Sequence, residues 1–156
     1  ADTKKAMGVV WWEDAKPYDD KFYWGYQADG KTLIERKLAD EDAVDGSGNK
    51  VKDQDGNQVI NEGLKTIWVR QTKARANGRL VATDWYVTRK AEAGTAIPSD
   101  VSTYRTAVRT ASKTIEDKIN ACSNLTAFKK LFDTPVDSDG NPTGNAPIYD
   151  FPKEVA

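Results

Sequence analysis

Few residues in this chain are of a type and spacing that could do chemistry. Asp84, between Thr83 and Trp85, is the one acid set among large apolar neighbours. A carboxylate there can move a proton, or it can end a helix or cap a turn, which is the more ordinary use. No two acids lie one helical turn apart within an apolar stretch, the arrangement that lets paired carboxylates divide acid and base roles. Asp53-Gln54-Asp55-Gly56-Asn57, with Glu62 six residues after the glycine, has the alternating oxygen donors of an EF-hand loop. Its first ligand position falls on Val51, which has no side-chain oxygen. Asp137-Ser138-Asp139-Gly140 fails in the same way, with Pro135 first and Ala146 last. Both read as turns. Cys122 has no histidine or second cysteine to activate it and reads as a small helix residue.

Composition removes further chemistries. The 156 residues include no histidine and one cysteine. That excludes Ser-His-Asp and Cys-His catalysis, His-ligated zinc, a disulfide within one chain and a multi-cysteine metal cluster. Neither the phosphate-cradling Gly-x-x-x-x-Gly-Lys loop nor the dinucleotide Gly-x-Gly-x-x-Gly pattern occurs. The sequence therefore predicts no catalytic residue, no metal site and no cofactor, in a protein that is not an enzyme. With 23 basic against 24 acidic side chains the net charge is −1, which argues against nucleic acid and membrane surfaces as partners. No stretch approaches the roughly 20 apolar residues of a membrane span, and Ala1-Asp2-Thr3-Lys4-Lys5 lacks the apolar core of a signal peptide. A soluble protein made in a reducing compartment is expected.

The elements that would position these residues divide into three parts. Residues 1–61 read as an aromatic-rich antiparallel β part ending in a long acidic, glycine-rich loop. Ala6 to Trp12 suits a short strand. Phe22 to Tyr26 and Lys31 to Arg36 flank Asp29-Gly30, which predicts a hairpin with a type I′ turn. Phe22, Trp24 and Tyr26 alternate and would share one face. From Ala39 to Asn61 turn residues dominate, and Lys50–Lys52 could pair with Gln58–Ile60 as a small outlying hairpin. With so few apolar groups this loop is either a mobile arm or a segment ordered by a neighbour. Its Val44–Asn49 stretch resembles Val136–Asn141, a likeness that shared turn chemistry explains better than duplication.

Residues 62–132 read as an antiparallel helical hairpin followed by a short third helix. Asn61 suits an N-cap with Glu62 in the first turn. Leu64, Ile67, Trp68 and Leu80 form an imperfect apolar stripe, and Arg70, Lys73, Arg75 and Arg79 a wet face. Trp85-Tyr86-Val87 reads as a short extended segment. Pro98, with Ser99 or Asp100 as cap, opens a second helix with Val101, Tyr104, Val108, Ala111, Ile115 and Ile119 at steps of three and four. Asn124 suits the cap of the third helix, which carries Leu125, Phe128, Leu131 and Phe132. Residues 133–156, with four of the six prolines, would form an extended tail pinned by Ile148, Tyr149 and Phe151. The fold class expected is α+β.

The aromatic residues offer a different kind of site. Trp11 and Trp12, adjacent on a strand, must face opposite ways, and Trp24 and Tyr26 lie close by in sequence. They are either the core of a small sheet or a contact surface for a partner. The basic residues, with Arg89 and Lys90 added, read as a solvated helix face more readily than as a phosphate site.

One succession of motifs points to a family. Arg79-Leu80-Val81-Ala82-Thr83-Asp84-Trp85-Tyr86-Val87, then Gly94-Thr95-Ala96-Ile97-Pro98, then Tyr104-Arg105-x-x-Val108-Arg109 resembles the bacteriophage tail assembly chaperone family. Members resemble one another in a helix ending at Asp-Trp, a loop, and a second helix bearing a Tyr-Arg-x-x-Leu-Arg signature. Here Val108 stands for the leucine, and Phe151-Pro152 for a later Trp-Pro element. The likeness covers roughly Glu62 to Arg109, with a looser match in the tail. It implies a non-enzymatic phage protein, in the virion or the host cytoplasm, that binds tail, fibre or neighbouring virion subunits, or further copies of itself. By the same likeness Asp84, Trp85, Tyr104, Arg105 and Arg109 form a structural signature, with Trp85 under the hairpin and Asp84 paired to Arg105 or Arg109. An alternative is a carbohydrate- or receptor-binding module of a phage particle that uses Trp11, Trp12, Trp24 and Tyr26.

Overall fold

The computed structural model describes residues 17–154. The expected strand Ala6–Trp12, with Trp11 and Trp12, lies outside the described residues. The fold is mixed, with helices and two separate two-stranded antiparallel sheets. By packing the chain divides at residue 36 into two units, so the segment from Lys37 to Asn61 goes with the helices and not with the aromatic hairpin.

In the first unit β1 (Tyr23–Tyr26) pairs with β2 (Leu33–Glu35). The hairpin forms where Asp-Gly placed it, but its turn is not type I′. Gly30 alone takes positive φ, at 65°. Its N–H donates to the Gln27 carbonyl at 2.9 Å, so Ala28 and Asp29 occupy the centre of the turn. The Asp29 carboxylate accepts from the Thr32 hydroxyl and from the Thr32 and Lys31 amides. Those bonds, led by the hydroxyl, stabilise its ionised form and lower its pKa to about 2. The register shifts between Tyr23 and Gly25, a bulge that adds Trp24 to one strand. Alternation therefore breaks: Phe22 is buried, whereas Trp24 is 66% exposed. The three rings do not share a face.

The second unit begins with a polar projection. β3 (Glu41–Asp42) pairs with β4 (Ile60–Asn61) at its base, and the expected pairing of Lys52 with Gln58 lies further out. The chain then enters α1 (Leu64–Val81), two residues later than the sequence suggests. Asn61 is not its cap. Gly63 occupies the N-cap and supplies no side chain; Asp40, 23 residues upstream, does that work. Its Oδ1 accepts from the Gly63 amide at 2.7 Å and its Oδ2 from the Thr66 hydroxyl at 2.9 Å. The Leu64 and Lys65 amides donate to the carbonyls of Lys37 and Leu38. The amides of Gly63, Leu64 and Lys65 in the first turn are thus satisfied by one chain crossing. The crossing is close: a Cβ on Gly63 would lie 2.4 Å from the backbone of Ala39 and Leu38. Glu62 pairs with Arg70, at 2.5 and 2.7 Å.

After α1 come α2 (Asp84–Ala93), α3 (Ser99–Ala121) and α4 (Leu125–Lys129). The sequence reads residues 85–87 as extended and the whole link to Pro98 as a loop. The structure has a ten-residue helix there, because Asp84 sits in its first turn and Gly94 closes it in the left-handed conformation. α1 and α3 pack antiparallel: Lys65 reaches Asn120, Lys73 reaches Glu116, and Tyr104 reaches Arg79. The periodic face of α3 is buried as expected at Val101, Tyr104, Val108, Ile115 and Ile119, with Ala111 part-buried. Asn124 caps α4 by accepting from Ala127 N at 2.8 Å. Cys122 is buried between these helices, and burial raises the pKa of its thiol.

The tail packs as rings and one aliphatic plug. Ile148 is fully buried and Phe151 nearly so, while Tyr149 meets Trp68 and Phe132 edge-on. Two cations assigned by sequence to the wet face of α1 hold it there. The Arg75 guanidinium lies 4.9 Å from the Tyr149 ring, and that of Arg79 lies 5.2 Å from Phe151 and donates to the Pro152 carbonyl. Long side chains bury their stems while the charged head finds a ring or a carbonyl.

Two outcomes follow from the crossing at Gly63. Gly63→Ala must displace backbone rather than side chain, so it should cost at least about 1–3 kcal/mol, and more than Asp40→Ala, by urea unfolding. Asp40 and Asp29 have folded pKa values below the unfolded 3.8, so their contribution is present above that pH. It is lost as acid protonates them below about pH 4, for Asp29 down to about 2, and acid titration followed by circular dichroism should show stability falling as the pH drops through that range.

Candidate functional site

The Asp-Trp junction is where the described residues bring most of the expected signature together. α1 ends at Val81, and its last-turn carbonyls need partners. α3 provides them across the hairpin. The Tyr104 hydroxyl donates to Arg79 O at 3.3 Å, and Arg105 Nη1 donates to Leu80 O at 3.0 Å and to Thr83 Oγ1 at 2.7 Å. Thr83 in turn donates through its hydroxyl and its amide to Leu80 O. Arg105 Nη1 lies 2.9 Å from Asp84 Oδ1, and only 9% of the Arg105 side chain is exposed against 57% for Asp84. Asp84 therefore pairs with Arg105 and not with Arg109, which is exposed on α3. A buried guanidinium that neutralises a carboxylate and satisfies a helix end is doing structural work.

Trp85 is not under the hairpin. It is 50% exposed, because Asp84 takes the direction of Arg105 and the next residue of a helix points some 100° away. Its indole stacks on Tyr86 with centroids 3.9 Å apart and planes tilted 32°. The Arg89 guanidinium covers both rings, at 4.6 Å from Trp85 and 5.4 Å from Tyr86. Val87 on the same helix and Val81 just before it are also exposed. No residue of α2 is buried. The sequence reads Arg89 as part of a solvated face and gives Tyr86 no role of its own. Their spacing at i and i+3 or i+4 from Trp85 and Tyr86 was the available signal, but it only counts once the segment is known to be helical.

The first unit carries a second aromatic–cation pair. Arg36 lies 4.3 Å above the exposed Trp24 ring, while Tyr26 is half-buried and edge-on to Tyr18 at 5.6 Å. Trp24 thus suits contact, and Tyr26 supports the hairpin from inside.

One depression in the second unit runs along α3, with a volume of about 630 Å³, lined by Ser102, Thr106, Thr110, Thr114, Lys118 and Asp150 among others. Its lining is hydroxyls and methyls, with one cation and one anion. The candidate calcium loop is used up internally. Asp53 Oδ1 accepts from the Asp55 and Asn57 amides and Oδ2 from the Asn57 side chain, while Glu62 is engaged by Arg70. Asp137 is held in the same way by Asp139 and Asn141. Among the described residues no group of three or more acids or cysteines is placed to hold a metal ion, and no helix is long and apolar enough to cross a membrane. Comparison with family models, curated proteins and solved structures finds no match.

If Arg105 is the joint between the helices, Arg105→Met should cost about 1–3 kcal/mol, since Thr83 and Leu80 lose a buried donor. Asp84→Asn, at the exposed end of the pair, should cost less. A double-mutant cycle in thermal unfolding checks the order, and equal costs would contradict it.

Proposed function

We propose that this protein is a non-enzymatic, bacteriophage tail-associated protein that binds other phage structural proteins, as a tail assembly factor or a minor component of the particle. The observation that carries the contact reading is α2, a helix without a single buried side chain that displays Trp85, Tyr86 and Arg89 as one stacked surface. A ten-residue helix is marginal in water without tertiary packing. Tryptophan, tyrosine and arginine are the residues most enriched at binding hot spots. The phage assignment rests on the motif order from Arg79 to Arg109. The geometry gives that motif a physical sense, since Tyr104, Arg105 and Asp84 hold the joint from which Trp85 is presented.

A second reading, a carbohydrate- or receptor-binding module, is favoured by Trp24 alone: an exposed indole backed by Arg36 is a stacking platform for a sugar ring.

Co-expression with tail and fibre proteins tests the first reading. Trp85→Ala should weaken co-purification at least tenfold while the thermal midpoint stays within about 3 °C, because the ring is half in water already. Unchanged co-purification would remove α2 from the contact. If Trp24→Ala alone abolishes binding to a glycan array, the second reading replaces the first. Mass spectrometry of purified virions separates particle component from transient factor.

A further inference from the structure

The projection between β3 and β4 contains a repeat of eight residues. Ala43, Val51 and Val59 are spaced by eight and joined by three backbone hydrogen bonds that form a closed cycle. Val51 N donates to Ala43 O at 2.9 Å, Val59 N to Val51 O at 2.9 Å, and Ala43 N to Val59 O at 2.8 Å. The loops between them, 44–50 and 52–58, share the pattern x-Asp-x-x-Gly-Asn-x. They also share each bond. The aspartate carboxylate (Asp45, Asp53) accepts from the amides two and four residues on and from the asparagine side chain, and its own carbonyl accepts from the glycine amide. The two glycines take φ of 83° and 84°. Residues 136–142 in the tail repeat the unit a third time, with the same three carboxylate bonds and Gly140 at 83°. There a single copy closes its own stem, Thr143 N donating to Pro135 O at 2.8 Å.

We propose that the projection is an ordinary hairpin carrying one extra eight-residue unit inserted in phase, so that its length is adjustable by whole units without disturbing the rest of the fold. The ladder gives the reason. Glu41 faces Asn61 and Asp42 faces Ile60, so the next pair in register is Ala43 with Val59. One of the two bonds that such a pair exchanges is present, Ala43 N to Val59 O. The other is missing only because Val51 stands between its partners, accepting from Val59 N and donating to Ala43 O. Removal of residues 44–51 lets Val59 N reach Ala43 O directly and leaves no backbone group unpaired. The stem still closes on Lys52–Gln58, as the tail copy closes on its own stem. The crossing that caps α1, Asp40 against Gly63, lies below the excised segment. A deletion that is not a whole unit has no such solution, because it breaks a turn and strands the donors and acceptors of the cycle.

The test compares two deletions in the otherwise full chain. Removal of residues 44–51 should leave the helical circular dichroism unchanged and the thermal midpoint within about 3 °C. The Val59 amide should stay protected in hydrogen exchange. Removal of residues 44–47, half a unit, should expose the amides of Ala43, Val51 and Val59 to exchange and lower the midpoint by clearly more. The proposal is overturned if the eight-residue deletion is as harmful as the four-residue one, if both are equally harmless, or if the Val59 amide exchanges freely in the shorter hairpin.

Discussion

The second unit turns on one cation. Arg105 stands on α3 and reaches across to the end of α1 and the start of α2, where Leu80 O, Thr83 Oγ1 and Asp84 Oδ1 all lie within 3.0 Å of its Nη1. A guanidinium cannot lose its charge at any ordinary pH and carries its donors in a fixed plane. That constraint sets where α1 must stop and which way the chain must leave it. It also decides the orientation of the next residue: with Asp84 held by Arg105, Trp85 points away from it, with Tyr86 and Arg89 around it. The joint and the exposed surface are two sides of one arrangement.

Polar groups hold much of the rest. In a chain with 30% charged residues and a mean hydropathy of −0.69, most of the buried apolar residues among those described lie in the α1–α3 seam, α4 and the tail. Elsewhere order comes from aspartates that organise backbone amides around themselves. Asp40 does this for a helix start far away in sequence, and Asp45, Asp53 and Asp137 do it for turns. In each the carboxylate is ionised more readily than usual because amide N–H groups point at it. These turns explain how the segment after Lys37, poor in apolar residues, is ordered without a core of its own. They also explain why the segment looks like a cation site in sequence: the aspartates that alternate there are turn formers, and Asp53 already accepts from N–H donors.

Arginine is used in three ways that composition cannot tell apart. Arg105 is buried in a hydrogen-bonded joint. Arg75 and Arg79 bind the tail through rings and a carbonyl. Arg36 and Arg89 cover exposed indoles. Arg70, Lys73, Lys90 and Arg109 remain exposed at the surface, the first two each with a glutamate partner.

What the sequence determined by itself is what depends on local pattern. The hairpin at Asp29-Gly30, the buried face of α3, the cap at Asn124 and the anchors Ile148 and Phe151 all follow from spacing and residue type, while the Asp84–Arg105 option came with the motif likeness. What only the tertiary structure decided is what depends on partners distant in the chain. Asn61 is a good N-cap by type, yet Asp40 caps α1 because a crossing chain puts it there. Residues 85–87 look extended, since aromatic and β-branched types favour strands, yet Asp84 and Gly94 set helix ends around them and Arg105 fixes the start. The bulge at Trp24 broke an alternation that the letters alone imply. The eight-residue cycle is a set of backbone bonds, which the sequence carries only as Asp-x-x-Gly-Asn turns. Local chemistry writes the turns and stripes, and long-range hydrogen bonds choose which of the plausible ends, faces and partners are real.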